Sequence, residues 1–235
     1  RKGWPAVVAA EREDYDSVDA PDGMNIESTF GTANPVIGMV HLGPLPGAPK
    51  AAADGAAAMQ SVLEGAVADA RALERGGVDG VLVENFGDAP FHPDDVPKHT
   101  VAATTRAATA VADATTLPIG INVLRNDAEA AVSVAAAVDA AFVRVNVHTG
   151  ARVTDQGIVE GRAHETLRLR ERLGVDVGIF ADTDVKHSAP LTPEGYSAES
   201  FADATERGLA DAVVASGSGT GAAIDRAALE AVVDE

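Results

Sequence analysis

From Pro35 onward, two hydrophobic patterns alternate along the chain. Short continuous apolar runs predict strands, and the segments between them, whose apolar residues recur at helical spacing, predict helices. After the first run, Met59, Val62 and Ala66 recur at helical spacing, and Gly76 ends that predicted helix. The six runs predicted as strands are PVIGMVHL, VDGVLVEN, PIGINVLR, AFVRVNVH, VDVGIFAD and ADAVVAS. Helices are predicted over 59–73, 100–114, 130–138, 162–173 and 197–207, with a last one from Asp225. Asn126 and Glu129 fit an N-cap pair ahead of the third of these helices.

Six apolar strands joined by helices predict a parallel sheet, either covered on both faces or closed into a barrel. A doubly wound open sheet would show the same alternation. Polar residues follow almost every strand, and this favours a barrel, because an open sheet concentrates such residues at one switch point. The segment HLGPLPG after the first strand also lacks the G-x-G-x-x-G pattern. We therefore predict an α/β fold of the TIM-type (β/α) barrel class with about six βα units and a gap between the first and sixth strands.

The fourth strand, AFVRVNVH, alternates valines with polar residues. Successive side chains of a strand point to opposite faces, so valines that face the helices require polar neighbours that face inward. The inward residues predicted in this strand are Arg144, Asn146 and His148. The other strand ends contribute His41, Glu84, Asn122, Asp182 and Ser216. Polar groups that converge from six strands predict a pocket, because burying them is costly unless they are paired or retained for function.

Several of these residues also have a purely structural interpretation. Arg144 is compatible with an ion pair to Glu84 or Asp182, because a buried guanidinium needs such a partner. Asn122 and Asn146 are compatible with loop capping. It is the convergence of the whole set that favours a functional pocket.

The loop DTDVKHSAP places Lys186 and His187 after Asp182. Lys186 fits a Schiff-base or phosphate-binding lysine, and alternatively a solvated loop lysine. Asp182 with His187 or His148 is compatible with a divalent metal, although no standard zinc spacing is present. The sequence therefore leaves the cofactor open.

The Gly-rich turn SGSGTG joins the sixth strand to the next predicted helix, where backbone N–H groups can cradle an anion. A flexible loop is the alternative. The candidate binding residues in this turn are Ser216, Gly217, Thr220 and Gly221. Two further candidates, Asn85 and Arg125, lie at the ends of the second and third predicted strands. The long connection over 149–165 is a candidate lid.

The composition excludes several classes of function. The chain of 235 residues carries a formal net charge of −18, which disfavours nucleic-acid binding. It has no cysteine, no signal-peptide pattern and no apolar run long enough to span a membrane. We expect a cytoplasmic homo-oligomer with a small anionic substrate. Many acids and only four lysines indicate a halophilic source, with an acidic mesophilic protein as the alternative.

Residues 1–34 show no clear period and are expected to form a poorly structured extension before a barrel domain over 35–235. Met24 looks like a natural start, so residues 1–23 are expected to be read-through or a remnant of cloning.

Several motifs between Pro35 and Gly221 resemble the BtpA family: PVIGMVHLGPLPGAP, GGVDGVLVENFGDAPF, RVNVHTGARVTDQGIVEGRAHE and ADTDVKHSAP. That family includes photosystem I biogenesis proteins and the SgcQ proteins of bacterial sugar-related gene clusters. The resemblance implies a barrel of the ribulose-phosphate-binding type from an archaeal source. It also implies that two further βα units are missing after residue 221, and related barrels hold phosphate on the last two units.

The favoured function is an enzyme, a lyase, isomerase or hydrolase, that acts on a phosphorylated sugar or a nucleoside-derived compound. Glu84 or Asp182 would be the general acid/base and His148 a second proton carrier. Arg144 and Lys186 would hold anionic groups. The alternative suggested by the resemblance is a non-catalytic assembly or stability factor of the photosystem I biogenesis type. An inactive fragment is a third possibility.

Overall fold

The computed structural model describes residues 6–9, 23–183, 185–191 and 203–216, and the helix predicted from Asp225 lies outside them. The described strands are β1 Ala6–Ala9, β2 Ile37–His41, β3 Gly80–Glu84, β4 Ile119–Asn122, β5 Phe142–Val145, β6 Ala151–Thr154, β7 Gly157–Glu160, β8 Gly178–Asp182, β9 Ser188–Pro190 and β10 Ala212–Ala215. The described α-helices are α1 Ile26–Phe30, α2 Gly55–Arg75, α3 Lys98–Ala112, α4 Ala128–Ala137 and α5 Ala163–Leu173. A short 3₁₀ helix covers Phe86–Asp88, and a single π-helical turn covers Asp203–Arg207.

Six parallel strands form the main sheet in the order β2-β3-β4-β5-β8-β10, which is also their order along the chain. Consecutive parallel strands become neighbours when each crossover helix packs back onto the sheet. The sheet is curled and forms half of a barrel. This confirms the predicted α/β fold with its six parallel strands.

Two elements lie in the segment 1–34, for which we expected little structure. Strand β1 pairs antiparallel with β10, so the sixth parallel strand does not present the free edge that we expected. Helix α1 begins at the N-cap Asn25, and its last residue, Phe30, is buried. Elements of four or five residues are too short to show a period, so the sequence pattern did not reveal them.

Side-chain caps and a glycine define the helix ends. Asp54 caps α2 by accepting hydrogen bonds from two backbone N–H groups of its first turn. Asp127 caps α4, not Asn126 as its neighbouring Glu129 suggested. Helix α5 ends at Gly174, whose φ of 65° lies in the left-handed region. None of the described helices is long and apolar enough to cross a bilayer.

Apolar side chains pack on both faces of the sheet. The face toward the helices includes Val83, Ile121, Val143, Ile179 and Val213. The inner face includes Phe30, Leu82, Phe142, Phe180 and Val214. The Phe142 and Phe180 rings stack with centroids 4.6 Å apart. The inner face is therefore apolar along the bodies of the strands, below the polar residues at their carboxyl ends.

The connection predicted as a lid is an ordered β-hairpin. Its strands β6 and β7 form a second sheet with β9, in the order β7-β6-β9. On one side, Val159 packs against Val147 and Val185 in a small apolar cluster. On the other side, Val153 and Ile158 are exposed and lie opposite each other in the hairpin.

We expect Gly120→Ala to lower the free energy of unfolding by about 1–3 kcal/mol, because a Cβ there would overlap the Phe142 ring. Gly65→Ala, in the exposed part of α2 where a methyl group meets no described atom within 4 Å, should raise it by about 0.5–1 kcal/mol. Urea unfolding of both variants measures the contrast. Equal stabilities would show that the inner face has room for the methyl group.

Candidate functional site

Polar side chains occupy the inner face at the carboxyl ends of five parallel strands. His41, Glu84 and Asn122 are register partners across β2, β3 and β4. Arg144 lies near the end of β5, and Asp182 ends β8. Their neighbours along each strand belong to the helix-facing core, as the two-residue alternation predicted.

Arg144 and Asp182 form a bidentate ion pair. Arg144 Nε donates to Asp182 Oδ1 at 2.8 Å, and Nη2 donates to Oδ2 at 2.9 Å. Asn146 Nδ2 donates to the same Oδ2 at 2.9 Å. Burial alone lowers the pKa of Arg144, but the charge and hydrogen bonds of Asp182, together with the charge of Glu84, hold that pKa above its usual range. The guanidinium is thus charged under all physiological conditions.

Glu84 makes two looser contacts. Arg144 Nη1 lies 3.8 Å from Glu84 Oε1, and His41 Nε2 lies 3.3 Å from Oε2. The Glu84 side chain is 6% exposed, whereas that of His41 is 46% exposed. The His41 ring stacks on Phe86 with centroids 4.5 Å apart. His41 therefore connects a buried carboxylate to solvent.

Asn122 holds an unpaired acceptor in this group. Its Nδ2 donates to the backbone carbonyl of Arg144 at 2.7 Å and to Asn146 Oδ1 at 3.2 Å. A carbonyl oxygen can only accept, so this contact defines which end of the amide is nitrogen. Asn122 Oδ1 is buried and has no hydrogen-bond partner among the described residues. The polar group therefore contains one acceptor that no described side chain or backbone group uses.

Asn85, Arg125 and Lys186 lie in the loops beyond the strands. Asn85 Oδ1 accepts from the backbone N–H of Leu124 at 2.7 Å, and its Nδ2 donates to Asp88 at 3.2 Å, so Asn85 ties two loops together. Asn85 thus has the loop-capping role that the sequence offers as an alternative for Asn122 and Asn146. Arg125 Nη2 donates to the carbonyl of Lys186 at 2.9 Å, which joins the loops after β4 and β8.

The structure separates His148 from this group. Strand β5 ends at Val145, so the alternation that predicted an inward His148 does not extend to it. Its Nε2 lies 2.7 Å from the carbonyl of Gly208 and must carry the proton, because that oxygen only accepts. Its Nδ1 is buried and has no described partner. Burial lowers the pKa of His148, although the Gly208 hydrogen bond and the charge of Asp211 oppose the shift.

The remaining predicted residues contribute less to the described geometry. His187 is exposed, with a φ of 60°. The hydroxyl of Ser216 is buried and has no described partner. Gly217, Thr220 and Gly221 lie outside the described residues. Within the described ranges, no three His, Asp or Glu side chains form a group that could hold a metal ion.

Two residues that we did not select belong to this region. Phe86 supports the His41 ring, and it follows directly after two candidate residues in the segment VENF. Asn126 Oδ1 accepts from the backbone N–H of Val147 at 2.8 Å, and its Nδ2 donates to the carbonyl of Val147 at 2.9 Å. We had interpreted Asn126 as a helix cap, and only its distance to the β5 loop reveals the second role.

Comparison with known proteins identifies relatives for most of the chain. A sequence model of the BtpA family matches residues 32–235. An uncharacterized protein of Thermococcus kodakarensis is 51% identical over 191 residues, which cover 81% of this chain and 70% of that protein. The Photosystem I biogenesis protein BtpA of Synechocystis is 48% identical over 199 residues, which cover 84% of this chain and 67% of that protein. An uncharacterized mitochondrial protein of Caenorhabditis elegans is 30% identical over 194 residues, which cover 80% of this chain and 69% of that protein. The halophilic archaeal source stays a prediction.

We expect Arg144→Met to lower the free energy of unfolding by about 3–5 kcal/mol, because it leaves the buried Asp182 carboxylate without its counter-charge. Arg207→Met is the matched control, since Arg207 also pairs with a carboxylate but its side chain is 82% exposed. Its effect should stay within about 0.5 kcal/mol. Urea unfolding at neutral pH measures both, and similar losses would mean that burial adds nothing to the Arg144 pair.

The lowered pKa of His148 predicts a contribution to acid destabilisation. Below pH 6.5, the ordinary pKa of histidine, the unfolded chain binds a proton at His148 that the folded chain does not bind. His148 therefore lowers the free energy of unfolding as the pH falls through that range. His148→Gln should therefore flatten the fall in unfolding free energy between neutral pH and the lower folded-state pKa. Equal slopes in wild type and His148→Gln would contradict this assignment.

Proposed function

This chain belongs to the BtpA family, and we propose that it is an enzyme that moves a proton on a small anionic substrate. The substrate is a phosphorylated sugar or a nucleoside-derived compound, and the reaction is of the lyase, isomerase or hydrolase class. Each of these classes uses a group that takes up or delivers a proton. The proposal includes a barrel of the ribulose-phosphate-binding type, whose active sites lie at the carboxyl ends of the strands.

The observation that carries the proposal is the contrast between the two inward carboxylates. Asp182 accepts hydrogen bonds from three donors, so its oxygens are occupied by Arg144 and Asn146. Glu84 is also buried, but among the described residues its carboxylate has the 3.3 Å and 3.8 Å contacts and no shorter ones. A carboxylate retained for packing alone would be expected to be satisfied as Asp182 is. Glu84 is therefore the better candidate for general acid/base, and Asp182 the better candidate for an anchor of Arg144.

The neighbours of Glu84 supply the other roles. Arg144 would stabilise negative charge that develops beside Glu84. His41 would pass protons between Glu84 and solvent, since an imidazole exchanges protons readily near neutral pH. His41 thus takes the role of second proton carrier that we had expected of His148. The unpaired Asn122 Oδ1 would accept a hydrogen bond from a substrate hydroxyl, and Lys186 would hold an anionic group.

The name of the Synechocystis relative, Photosystem I biogenesis protein BtpA, favours a second candidate function. In that case the strand ends would bind a partner without transforming it, and the chain would act as an assembly or stability factor. The two functions differ in their dependence on a proton carrier. Binding of a partner tolerates the loss of a proton-transfer group, whereas turnover does not.

The proposal is tested by a thermal-shift screen of sugar phosphates and nucleosides, with and without Mg²⁺ or Zn²⁺, followed by assays of product formation with each compound that binds. We expect Glu84→Gln to reduce kcat about 100-fold or more, because it keeps the shape of the side chain but cannot accept a proton. Binding of the same compound should be retained.

The matched control is Glu64→Gln on the exposed face of α2, which should leave kcat unchanged. Circular dichroism and urea unfolding should show that Glu84→Gln is folded. Full turnover by Glu84→Gln would rule out Glu84 as the general acid/base, whereas the absence of any compound that is turned over would favour the non-catalytic function.

A further inference from the structure

Among the residues that the structure describes, Arg125 is a buried guanidinium without a counter-charge. The residue is 8% exposed, and within the described part of the chain its side chain makes one hydrogen bond, from Nη2 to the backbone carbonyl of Lys186. Its Nε is buried without a hydrogen-bond partner, and within the described ranges no carboxylate lies within 4.0 Å of its guanidinium. The largely buried Arg144 and Arg170, by contrast, each contact a carboxylate at 3.0 Å or less.

This arrangement is energetically unfavourable in the absence of a ligand. A guanidinium keeps its charge at any physiological pH, so burial cannot be relieved by loss of a proton. A buried charge without an opposite charge costs several kcal/mol. Five N–H donors are present, and the carbonyl of Lys186 uses one of them. The N–H groups of a guanidinium lie in one plane, so the unused ones can donate parallel hydrogen bonds to two oxygens of a carboxylate or phosphoryl group.

The position of Arg125 relates it to the inner polar group. Arg125 follows β4 by three residues, and Lys186 follows β8 by four. Strand β5 lies between β4 and β8 in the sheet. The hydrogen bond between Arg125 and Lys186 therefore spans the carboxyl end of β5, which is the end that carries Arg144 and Asn146.

Lys186 brings a second positive charge to the same loop. Its side chain is partly exposed and begins at the residue whose carbonyl binds Arg125. The chain as a whole carries a net charge of −18 and has four lysines. On a surface that repels anions, an anionic molecule needs a local pair of cations such as this one.

We infer that Arg125 and Lys186 form an oxyanion site that binds a phosphoryl or carboxylate group. The inference rests on the proposed function for its biological role, since it places the anionic end of the substrate over β5 and leaves its uncharged part toward Glu84. The Gly-rich turn 216–221 is not needed for this site. The anionic group is bound as a salt bridge, and no covalent step is involved.

The test measures anion binding without turnover. Inorganic phosphate and succinate are titrated separately into the full chain by calorimetry, at constant ionic strength. We expect one or both to bind, and Arg125→Met to weaken that binding at least tenfold, because it removes the charge and the fork of donors. Tighter binding of phosphate assigns a phosphoryl group, and tighter binding of succinate assigns a carboxylate.

Two matched controls separate this result from general charge effects and from the proposed function. Arg168→Met removes an exposed arginine that also donates to one backbone carbonyl, and it should bind the anion as wild type does. Glu84→Gln should also bind the anion, even if it has lost turnover. If Arg125→Met weakens anion binding while Glu84→Gln keeps full activity, the oxyanion site stands and the proposed acid/base role fails.

Stability without anions provides a second measurement. Arg125→Met should melt at the same temperature as wild type or higher in chloride buffer, because it removes an unbalanced buried charge. A structural arginine would give the opposite result. The inference is overturned if neither anion binds to wild type, if Arg125→Met binds the anion as wild type does, or if Arg125→Met melts at a lower temperature in chloride buffer.

Discussion

The site depends on the ion pair between Arg144 and Asp182. A guanidinium that is mostly buried at the end of a parallel strand cannot lose its charge, so the adjacent strand has to present a carboxylate in bidentate geometry. The pairing of β5 with β8 provides that contact, and Asn146 adds a third donor to the same carboxylate. Without this pair, the inner face could not hold charged groups so close to its stacked phenylalanine rings.

The pair also determines what the rest of the inner group can do. Because both Asp182 oxygens are occupied, the second carboxylate, Glu84, is left with one distant contact to Arg144 and one contact to His41. The described inner face then contains two carboxylates and one guanidinium. Glu84 is the carboxylate with the longer contact to that guanidinium, and it also contacts the partly exposed His41. The packing of the sheet thus gives the two carboxylates different surroundings.

The two buried arginines at this end of the sheet differ in one respect. Among the described residues, Arg144 is compensated by a carboxylate, whereas the Arg125 side chain contacts one backbone carbonyl. Folding alone accounts for the first arrangement, since the charges neutralise each other. It does not account for the second, because leaving a buried cation unpaired destabilises the folded chain. An anionic ligand would supply the negative charge that Arg125 lacks. Because the protein surface is acidic, such a ligand would depend on local cations for binding.

Local rules in the sequence determined the order of the strands and the inward direction of side chains within them. The alternation of apolar and polar residues was sufficient for Arg144 and Asp182, because both lie inside regular strands where the period of two holds. It failed for His148, which lies beyond the end of β5. Only the tertiary structure decided which carboxylate pairs with Arg144, that Asn85 ties two loops together, and that Arg125 has no carboxylate partner among the described residues. These outcomes depend on distances of a few ångströms between residues that are far apart in the chain, and no local pattern encodes them.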